Sequence, residues 1–354
     1  MLEELKELAR LLAARADTAP DIAAADRARR LRGHVEEFLI PRAADLDAPL
    51  FVVILGSTGS GKSSLFNGLA GADLSQTGVL RPTTRTARAL ASPDASLPPV
   101  VVQLETEGEL VVVRDDAGWS DLVIVDAPDF DSIEESNRTL ARRLLEAADL
   151  IVFVTTDTRY ADEVPWSILH RAGERGVPLL TVINRLPAAP EDRKLVLDDY
   201  HRLLGEANLT GLSATVPVEV VGVPLGAVDS ATSGLTRDAV EPVRRALEAL
   251  VDDAEARRLL VRQSLESAIA DLPNGVGEIV TEMDLEDHAR KELLRIAANA
   301  YDGRWSDIGD QIDRGSFLRS EVLREWQDYV GANRVARVVS EGVGKIAASI
   351  RAVF

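Results

Sequence analysis

The sequence contains no cysteine, few lysines and no long hydrophobic run. Without cysteine the chain has neither a disulfide framework nor a thiolate metal site, which favours a reducing cytoplasm. No uninterrupted apolar stretch reaches the roughly 18 residues that span a bilayer, and the acidic start "MLEELKELAR" lacks the basic region of a signal peptide. We therefore expect a cytoplasmic protein without a membrane span.

Positive charge is also scarce. Lysine and arginine together number 40 against 58 aspartate and glutamate residues, which leaves a formal net charge of −18. At this charge a broad surface would repel DNA, RNA or anionic lipid. We therefore expect no nucleic-acid partner and at most a peripheral contact with the inner face of a membrane. The phosphates of one small ligand remain compatible with such a chain, and the four scattered histidines predict no transition-metal site.

The length of 354 residues exceeds the size at which a single hydrophobic core stops growing, so we expect more than one domain. Leucines at helical spacing predict a helix over residues 2–17, and a second helix is expected over 21–40, bounded by Pro20 and Pro41. After about residue 236 the apolar residues keep the spacing of amphipathic helices. We predict N-terminal helices over 1–45, an α/β domain over 46–236 and a helical domain over 237–354.

Short apolar runs alternate with helical segments in the middle of the chain. This alternation predicts a doubly wound, mostly parallel sheet with helices on both faces. Two of the runs, joined by "ETEGE", predict instead a hairpin that places an antiparallel strand at one edge. The runs are 50–55, 100–104, 110–113, 122–125, 150–154, 179–183 and 218–223, the hairpin is formed by the second and third, and the helical candidates are 62–70, 135–148, 162–173 and 192–207.

The stretch "GSTGSGKS", residues 56–63, matches the phosphate-loop pattern G-x-x-x-x-G-K-[ST]. An apolar run precedes it and a predicted helix follows, so the amides of the loop and of the helix N-terminus converge on one anion. The glycines let the backbone wrap a phosphate without Cβ collisions. Lys62 would reach the β- and γ-phosphates, and the Ser63 hydroxyl would ligate Mg²⁺. The expected ligand is a nucleoside triphosphate.

Three later stretches carry polar residues suited to the same ligand. In "RPTTRT", residues 81–86, a threonine hydroxyl would complete the coordination of Mg²⁺. The stretch "LVIVDAPDFD" predicts a buried strand ending at Asp126, whose carboxylate would hold the metal, usually through water. The stretch "LLTVINRLP" predicts another strand, ending at Asn184, whose amide would contact a base.

With these motifs, residues 50–250 resemble the translation-factor-related GTPases of the Era and dynamin-like type, and bacterial dynamin-like GTPases in particular. The resemblance implies a P-loop GTPase domain and a helical bundle built from segments on both sides of it, with GTP or GDP and Mg²⁺ as ligands. It implies Thr84 as the first-switch residue, with Thr83 as the alternative. It also implies Asp126 as the second-switch carboxylate, Asn184 as the base contact, and a homodimer or a pair of GTPase domains.

The predicted site residues form three overlapping sets. The catalytic set is Lys62, Thr84, Asp126 and Asp129, the metal set is Ser63, Thr84 and Asp126, and the nucleotide-binding set is Gly56, Ser57, Thr58, Gly59, Ser60, Gly61, Lys62, Ser63, Ser64, Asn184 and Arg185.

Two motifs depart from that family. Its second switch is D-x-x-G, whereas "DAPD" places Asp129 at the glycine position, where a carboxylate is repelled by γ-phosphate oxygens unless it points away or holds water. Asp129 is therefore either a water-orienting or switch residue or an outward-facing turn residue. The guanine signature N-K-x-D appears as "NRLP", which loses the aspartate that pairs with guanine, although Arg185 could stack on the base. No glutamine follows Asp129, so slow intrinsic hydrolysis is expected.

The sequence therefore favours a Mg²⁺-dependent, GTP-binding and GTP-hydrolysing protein, either a switch or a dynamin-like machine, that couples the state of the nucleotide to its helices. Three alternatives stay open at this point. The protein could be a nucleotide-gated assembly or scaffold protein with little turnover, an ATPase with relaxed base selectivity, or a small-molecule kinase.

Overall fold

A computed structural model of the protein describes residues 1–76, 86–132, 134–174, 176–207, 209 and 219–314. The chain divides into two compact units, Met1–Ile279 and Val280–Phe354. The three-part division predicted above stays a prediction.

The N-terminal helices are α1 (Leu2–Thr18), α2 (Ile22–His34) and α3 (Ile40–Ala44), with a π-helical turn over Val35–Leu39. Asp21 begins α2 by accepting a hydrogen bond from the Ala24 N–H at 2.8 Å, as its position after Pro20 favours. The helical path does not end before Pro41, contrary to the prediction. The Ile40 N–H reaches back to the Val35 carbonyl, and this wider turn leaves Pro41 at the start of a new helical turn, where its missing N–H breaks little.

Among the described residues, seven strands form one sheet in the order β3-β2-β4-β1-β5-β6-β7. The strands β4, β1, β5, β6 and β7 run parallel to one another, which confirms the mostly parallel sheet. A separate two-stranded ribbon, β8 with β9, follows. The bounds are β1 Leu50–Gly56, β2 Ala87–Ala91, β3 Leu110–Arg114, β4 Leu122–Asp126, β5 Leu150–Thr156, β6 Leu179–Leu186, β7 Glu219–Pro224, β8 Val228–Asp229 and β9 Gly234–Leu235.

The predicted hairpin is wrong. Residues Pro99–Thr106 form a helix, α5, which buries Val100, Val101 and Leu104 on one face. A short apolar run does not distinguish a strand from a buried helix by its periodicity, and the proline at the first helical position favours the helix. The edge of the sheet is built instead from β2 and β3, which are parallel to each other, while β2 is antiparallel to β4. The sequence reasoning missed β2, since "ARALA" has little intrinsic strand preference and is held by its neighbours.

The remaining helices follow the predicted segments closely. Besides α5, four described helices lie between the strands of the sheet, and two long helices come after β9. Their bounds are α4 Lys62–Ala70, α6 Glu135–Ala147, α7 Glu163–Glu174, α8 Pro190–Glu206, α9 Arg237–Asp252 and α10 Ala254–Asp313. Of the helical domain predicted over 237–354, residues 237–313 hold α9 and α10, whereas residues 315–354 lie outside the described residues. No described helix is both long and apolar enough to cross a membrane.

The hydrophobic core lies on both faces of the sheet, as a doubly wound fold requires. Alternate side chains of β1 belong to two different clusters of buried residues, because successive residues of a strand point to opposite faces. Phe51, Val53 and Leu55 share one cluster with side chains of α1, the π turn, α5 and α6. Leu50, Val52 and Ile54 share the other with side chains of α4 and α9. The N-terminal helices therefore complete the same core as the sheet.

Candidate functional site

The phosphate loop connects the end of β1 to the start of α4, and its glycines are required by two different constraints. A Cβ on Gly56 would lie 2.2 Å from the Val154 carbonyl oxygen of the neighbouring strand, so only glycine fits this close approach. Gly59 and Gly61 have φ angles of 77° and 103°, in a region that other residues adopt at a cost. The loop conformation therefore follows from the glycine spacing of the motif.

The loop presents donors to an anion in the way that the sequence predicts. Helix α4 begins at Lys62 without a side-chain cap, which leaves the first N–H groups of the helix available. The Lys62 side chain is only 5% exposed, and its Nζ donates to the carbonyl oxygens of Gly56 at 2.8 Å and Ser57 at 3.3 Å. The hydroxyls of Ser57 and Ser60 are buried without a partner among the described residues. Ser64 is half-buried in the first turn of α4.

Asp126 ends β4 beside the first turn of α4, as predicted. Its Oδ2 accepts hydrogen bonds from the Ser63 hydroxyl at 2.7 Å and the Ser75 hydroxyl at 2.6 Å. Its Oδ1 is buried and has no partner within the described part of the chain. Burial raises the pKa of Asp126, against the opposing charge of Lys62 and the two hydroxyl hydrogen bonds.

These residues fit a Mg²⁺ ion. The ion prefers oxygen ligands, and the site offers the Ser63 hydroxyl and the Asp126 carboxylate, whose Oδ1 has no partner among the described residues. The third predicted ligand, Thr84, lies outside the described residues, as do Thr83, Arg81 and Arg85.

Asp129 contacts Lys62 directly. Its Oδ1 accepts from Lys62 Nζ, and the aspartate side chain is 24% exposed. The side chain thus faces the phosphate loop rather than pointing outward, so the outward-facing alternative is wrong. The predicted catalytic role of Asp129 stays a prediction.

A second carboxylate of the same segment contacts the loop, and the sequence reasoning missed it. Asp131 Oδ1 accepts from the Thr58 N–H at 2.8 Å and from the Thr58 hydroxyl at 2.7 Å. Arg159, in the loop after β5, donates to the Thr58 carbonyl at 3.0 Å and to Asp131 Oδ2 at 3.4 Å. Burial acts to raise the pKa of Asp131, but the hydrogen bonds from Thr58 and the charges of Arg159 and Lys62 outweigh it and hold the pKa below its usual range. The signal in the sequence was the acidic repeat in "DAPDFD".

Asn184 and Arg185 lie at the end of β6, next to the loop, but they face different ways. Asn184 is buried, and its Nδ2 donates to the Ser60 carbonyl at 3.0 Å. Its Oδ1 accepts from the Arg185 N–H at 2.8 Å, which stabilises the positive φ angle of 61° at Arg185. The Arg185 side chain is exposed. Asn184 therefore braces the phosphate loop, and its predicted contact with a base stays a prediction.

The assembled site lies at the carboxyl ends of the parallel strands, not at the lateral edge formed by β2 and β3. Because β1, β4, β5 and β6 are parallel, their carboxyl ends lie on the same side of the sheet, where ligands of open α/β sheets bind. The site combines loop amides, a buried ammonium group, a hydroxyl and a carboxylate. Such a set binds a phosphate chain with a divalent cation and neutralises charge that develops during phosphoryl transfer.

Comparison with known proteins agrees with this geometry. Residues 51–185 match the family model of the 50S ribosome-binding GTPase. The chain is 27% identical over 178 residues to the probable transmembrane GTPase FZO-like, chloroplastic, of Arabidopsis thaliana, covering 48% of this chain and 19% of that protein. It is 31% identical over 137 residues to the tRNA modification GTPase MnmE of Bordetella petrii, covering 39% of this chain and 26% of that protein. The chain thus spans about a quarter or less of the length of these relatives.

Solved structures with a similar arrangement include two kinds of protein. One is an oligomerised bacterial dynamin pair, with a TM-score of 0.44 and 13% identity over 99% of this chain and 66% of that chain. Another is Era of Aquifex aeolicus bound to GDP and AlF4⁻, with a TM-score of 0.38 and 20% identity over 56% of each chain. The match to this family model over residues 51–185 and the loop geometry together show a P-loop GTPase fold.

Proposed function

We propose that the protein binds GTP with Mg²⁺ and hydrolyses it, and that the surrounding helices respond to the state of the nucleotide. The observation that carries the proposal is the meeting of Lys62 Nζ, the Ser63 hydroxyl and the buried Asp126 carboxylate at one phosphate loop. In this reading Lys62 binds the β- and γ-phosphates, while Ser63 and Asp126 hold the metal. Thr84 is the proposed third ligand.

The chemistry needs positioning and charge neutralisation rather than a covalent intermediate. Mg²⁺, when bound, would neutralise charge on the β- and γ-phosphates. The loop amides and Lys62 would hold the phosphates in place, and Asn184 would keep the loop in shape through its bond to the Ser60 carbonyl. Burial of Lys62 strengthens its attraction for phosphate because little water screens it.

Calorimetric titration of GTP, GDP and ATP into the full chain and into Lys62→Ala tests this proposal. We expect the variant to lose about 100-fold in affinity for GTP, because a buried charge partner of the phosphates is removed. Lys194→Ala is the matched control, since Lys194 is an exposed lysine on α8. Circular dichroism should show that both variants stay folded. Undiminished GTP binding by Lys62→Ala, or no nucleotide binding by the native chain, would contradict the proposal.

A second candidate is a nucleotide-gated assembly protein with little turnover, and one observation favours it. Phe130 occupies the position where a catalytic glutamine could stand, and it is buried against Phe153 at 6.3 Å between ring centres. A buried phenyl ring cannot orient a water molecule. Phosphate release near background under single-turnover conditions, with tight GTP binding retained, would select this function over hydrolysis.

The selectivity for guanine is also open, since Pro187 stands where the family has its base-binding aspartate. The loss of that acceptor leaves guanine donors unpaired, which weakens discrimination against adenine. Competition between ATP and GTP for the site decides whether the protein is a GTPase or an ATPase with relaxed selectivity. Product analysis with candidate acceptors separates either one from a kinase.

The nucleotide site is connected to the N-terminal helices by direct contacts within the first unit. Helix α6 begins at Glu135, four residues after Asp131, and residues 126–131 form the acidic segment that contacts the phosphate loop. Arg143 of α6 makes two hydrogen bonds of 2.9 Å to Glu37 in the π turn, and one of 2.6 Å to Glu107 at the end of α5. We propose that a shift of the acidic segment on nucleotide binding reaches α2 and α3 through this contact.

Hydrogen exchange over residues 22–44, compared between GDP and a non-hydrolysable GTP analogue, tests the coupling. We expect a difference in the native chain that shrinks in Arg143→Gln. Identical exchange in both nucleotide states would count against it. A dimer and a peripheral membrane contact stay predictions, which sedimentation with each nucleotide and co-sedimentation with liposomes would test.

A further inference from the structure

One acidic segment, residues 126–131, touches the phosphate loop at three places. Asp126 accepts from the Ser63 hydroxyl at 2.7 Å, Asp129 accepts from Lys62 Nζ, and Asp131 accepts from the Thr58 N–H at 2.8 Å. The donors are a hydroxyl, an ammonium group and a loop amide. These are the kinds of group that a phosphate chain and its cation engage in such a loop.

The contact at Lys62 has the most direct consequence for a ligand. An ammonium group has three N–H donors, and Lys62 Nζ already has three acceptors, the carbonyl oxygens of Gly56 and Ser57 and the carboxylate of Asp129. A phosphate oxygen can therefore bind Lys62 only if one of these acceptors leaves. The two carbonyls belong to the phosphate loop itself, whereas Asp129 lies in a turn between β4 and α6 and is partly exposed. Asp129 is the acceptor that can move away from Lys62.

The sequence position of Asp129 indicates which phosphate group would displace it. Asp129 lies three residues after Asp126, where the D-x-x-G pattern has a glycine without a side chain. A diphosphate brings only its β-phosphate to Lys62, where it can replace the longest of the three bonds, that of 3.3 Å to the Ser57 carbonyl. Asp129 can therefore stay near Lys62 when a diphosphate binds. A triphosphate brings a further negatively charged group toward the carboxylate, and like charges at close range repel strongly.

We propose that Asp129 is a specificity-determining residue that competes with the terminal phosphate for Lys62 and lowers the affinity for a nucleoside triphosphate relative to the diphosphate. This inference rests on the proposed function of the site. The carboxylate takes the position on Lys62 Nζ that a phosphate oxygen would take. Triphosphate binding then requires the turn at Asp129 to move, and the turn leads directly into α6.

Calorimetric titration of GDP and of a non-hydrolysable GTP analogue, with Mg²⁺ present, into the full chain and its variants tests the inference. Asp129→Asn keeps the shape of the side chain and removes its charge, and Asp129→Gly restores the D-x-x-G pattern. We expect both variants to bind the triphosphate analogue about tenfold more tightly or better, because a like charge is removed. The affinity for GDP should change by less than about threefold in the same variants, since the competing phosphate is absent.

Asp121→Asn is the matched control. Asp121 precedes the other end of β4, and its carboxylate lies 3.8 Å from Arg257. The substitution removes the same charge far from the phosphate loop, so the affinities for GDP and for the triphosphate analogue should equal those of the native chain. Thermal melts of each variant show whether it is folded.

The outcomes separate this inference from the proposed function. If the native chain binds nucleotide but both Asp129 variants keep the native ratio of triphosphate to diphosphate affinity, only the inference is overturned. Weaker triphosphate binding by Asp129→Asn would also overturn it, because Asp129 would then assist the ligand. If neither the native chain nor Asp129→Asn binds any nucleotide, both fail. Triphosphate binding that is seen only after the substitution, in a protein whose native chain already binds the diphosphate, supports the inference.

Discussion

Two glycines of the phosphate loop illustrate how single residues decide this site. Gly59 and Gly61 both have positive φ angles, but their surroundings differ. A Cβ at Gly59 would meet nothing within 4 Å, whereas a Cβ at Gly61 would lie 2.2 Å from Asn184 Nδ2. The glycine at 59 is thus required by its backbone angle alone. The glycine at 61 is required by its angle and by the side chain that braces the loop.

We predict different losses of stability for the two alanine substitutions. Gly59→Ala should lower the free energy of unfolding by about 1–2 kcal/mol, the usual penalty for a left-handed residue with a Cβ. Gly61→Ala should lower it by about 1 kcal/mol more, because Asn184 must move and lose its hydrogen bond to the Ser60 carbonyl. Urea unfolding of both variants measures the difference. Equal losses would mean that Asn184 gives way freely.

At the residue scale the motifs predicted that Ser63 and Asp126 lie together, but not that Lys62 contacts Asp129 or that Thr58 contacts Asp131. The sequence reasoning identified Lys62, Ser63 and Asp126 because their chemistry is tied to a fixed spacing around a strand end and a helix start. Arg159 could not be identified in this way. It comes from a loop that only the order of β1 and β5 in the sheet brings beside Thr58.

At the scale of elements, helix α4 is held against the β9 ribbon by a close backbone approach. A Cβ on Gly68 would lie 2.6 Å from the Leu235 carbonyl oxygen and 2.7 Å from Val240 Cγ1. Leu235 belongs to β9 and Val240 to α9. These two elements therefore fix the position of α4, the helix that carries Lys62 and Ser63.

Two helical glycines should respond to alanine with opposite signs. Gly68→Ala should lower the free energy of unfolding by about 1–3 kcal/mol, because the added methyl group overpacks a backbone contact. Gly205→Ala, near the end of α8, should raise it by about 0.5–1 kcal/mol, since nothing lies within 4 Å of its Cβ and alanine favours a helix. Chemical unfolding of both variants gives the comparison. A stabilised Gly68→Ala would show that the α4–β9 contact is loose.

Element types were predictable where a pattern was long and failed where it was short. The helices over 135–148 and 192–207 were confirmed because three or more turns display their period. The run 100–104 was assigned to a strand, although it forms α5, because five residues fit either period. The strand β2 was missed because its pairing with β3 and β4, not its composition, makes it extended.

At the scale of the whole molecule, the N-terminal helices belong to the core of the first unit. Leu5, Leu12, Val35, Phe38 and Leu39 are buried in the cluster that covers one face of the sheet. Arg42 of α3 donates to the Ala48 and Pro49 carbonyls and contacts the buried Asp149 just before β5. These contacts hold α3 against the residues that precede β1 and β5, at the end of the strands opposite the phosphate loop.

Deletion of residues 1–45 should therefore unfold the chain rather than release a stable GTPase domain. Each buried apolar side chain contributes about 1.5–3 kcal/mol, so losing five of them removes an amount comparable to the whole stability of a domain. Thermal melts followed by circular dichroism check this. A truncated chain that melts cooperatively within a few degrees of the native protein would contradict it.

A matched pair on α1 tests the same point without truncation. Leu12 is 4% exposed and Leu11 is 52% exposed. Leu12→Ala should lower the free energy of unfolding by about 2–5 kcal/mol because it leaves a cavity, and Leu11→Ala should change it by less than about 0.5 kcal/mol. Similar effects at both positions would show that α1 does not pack as described.

Local patterns were sufficient for the phosphate loop and for most of the alternation of strands and helices, because each depends on residues close together in the chain. Glycine spacing determines the loop, and apolar periodicity determines the long elements. Three sets of contacts depended on the packed fold. They are the contact of Lys62 with Asp129, the contacts of Thr58 with Asp131 and Arg159, and the packing of α1 on the sheet. These residues are far apart along the chain, and only the strand order and the packing of helices on each face bring them into contact.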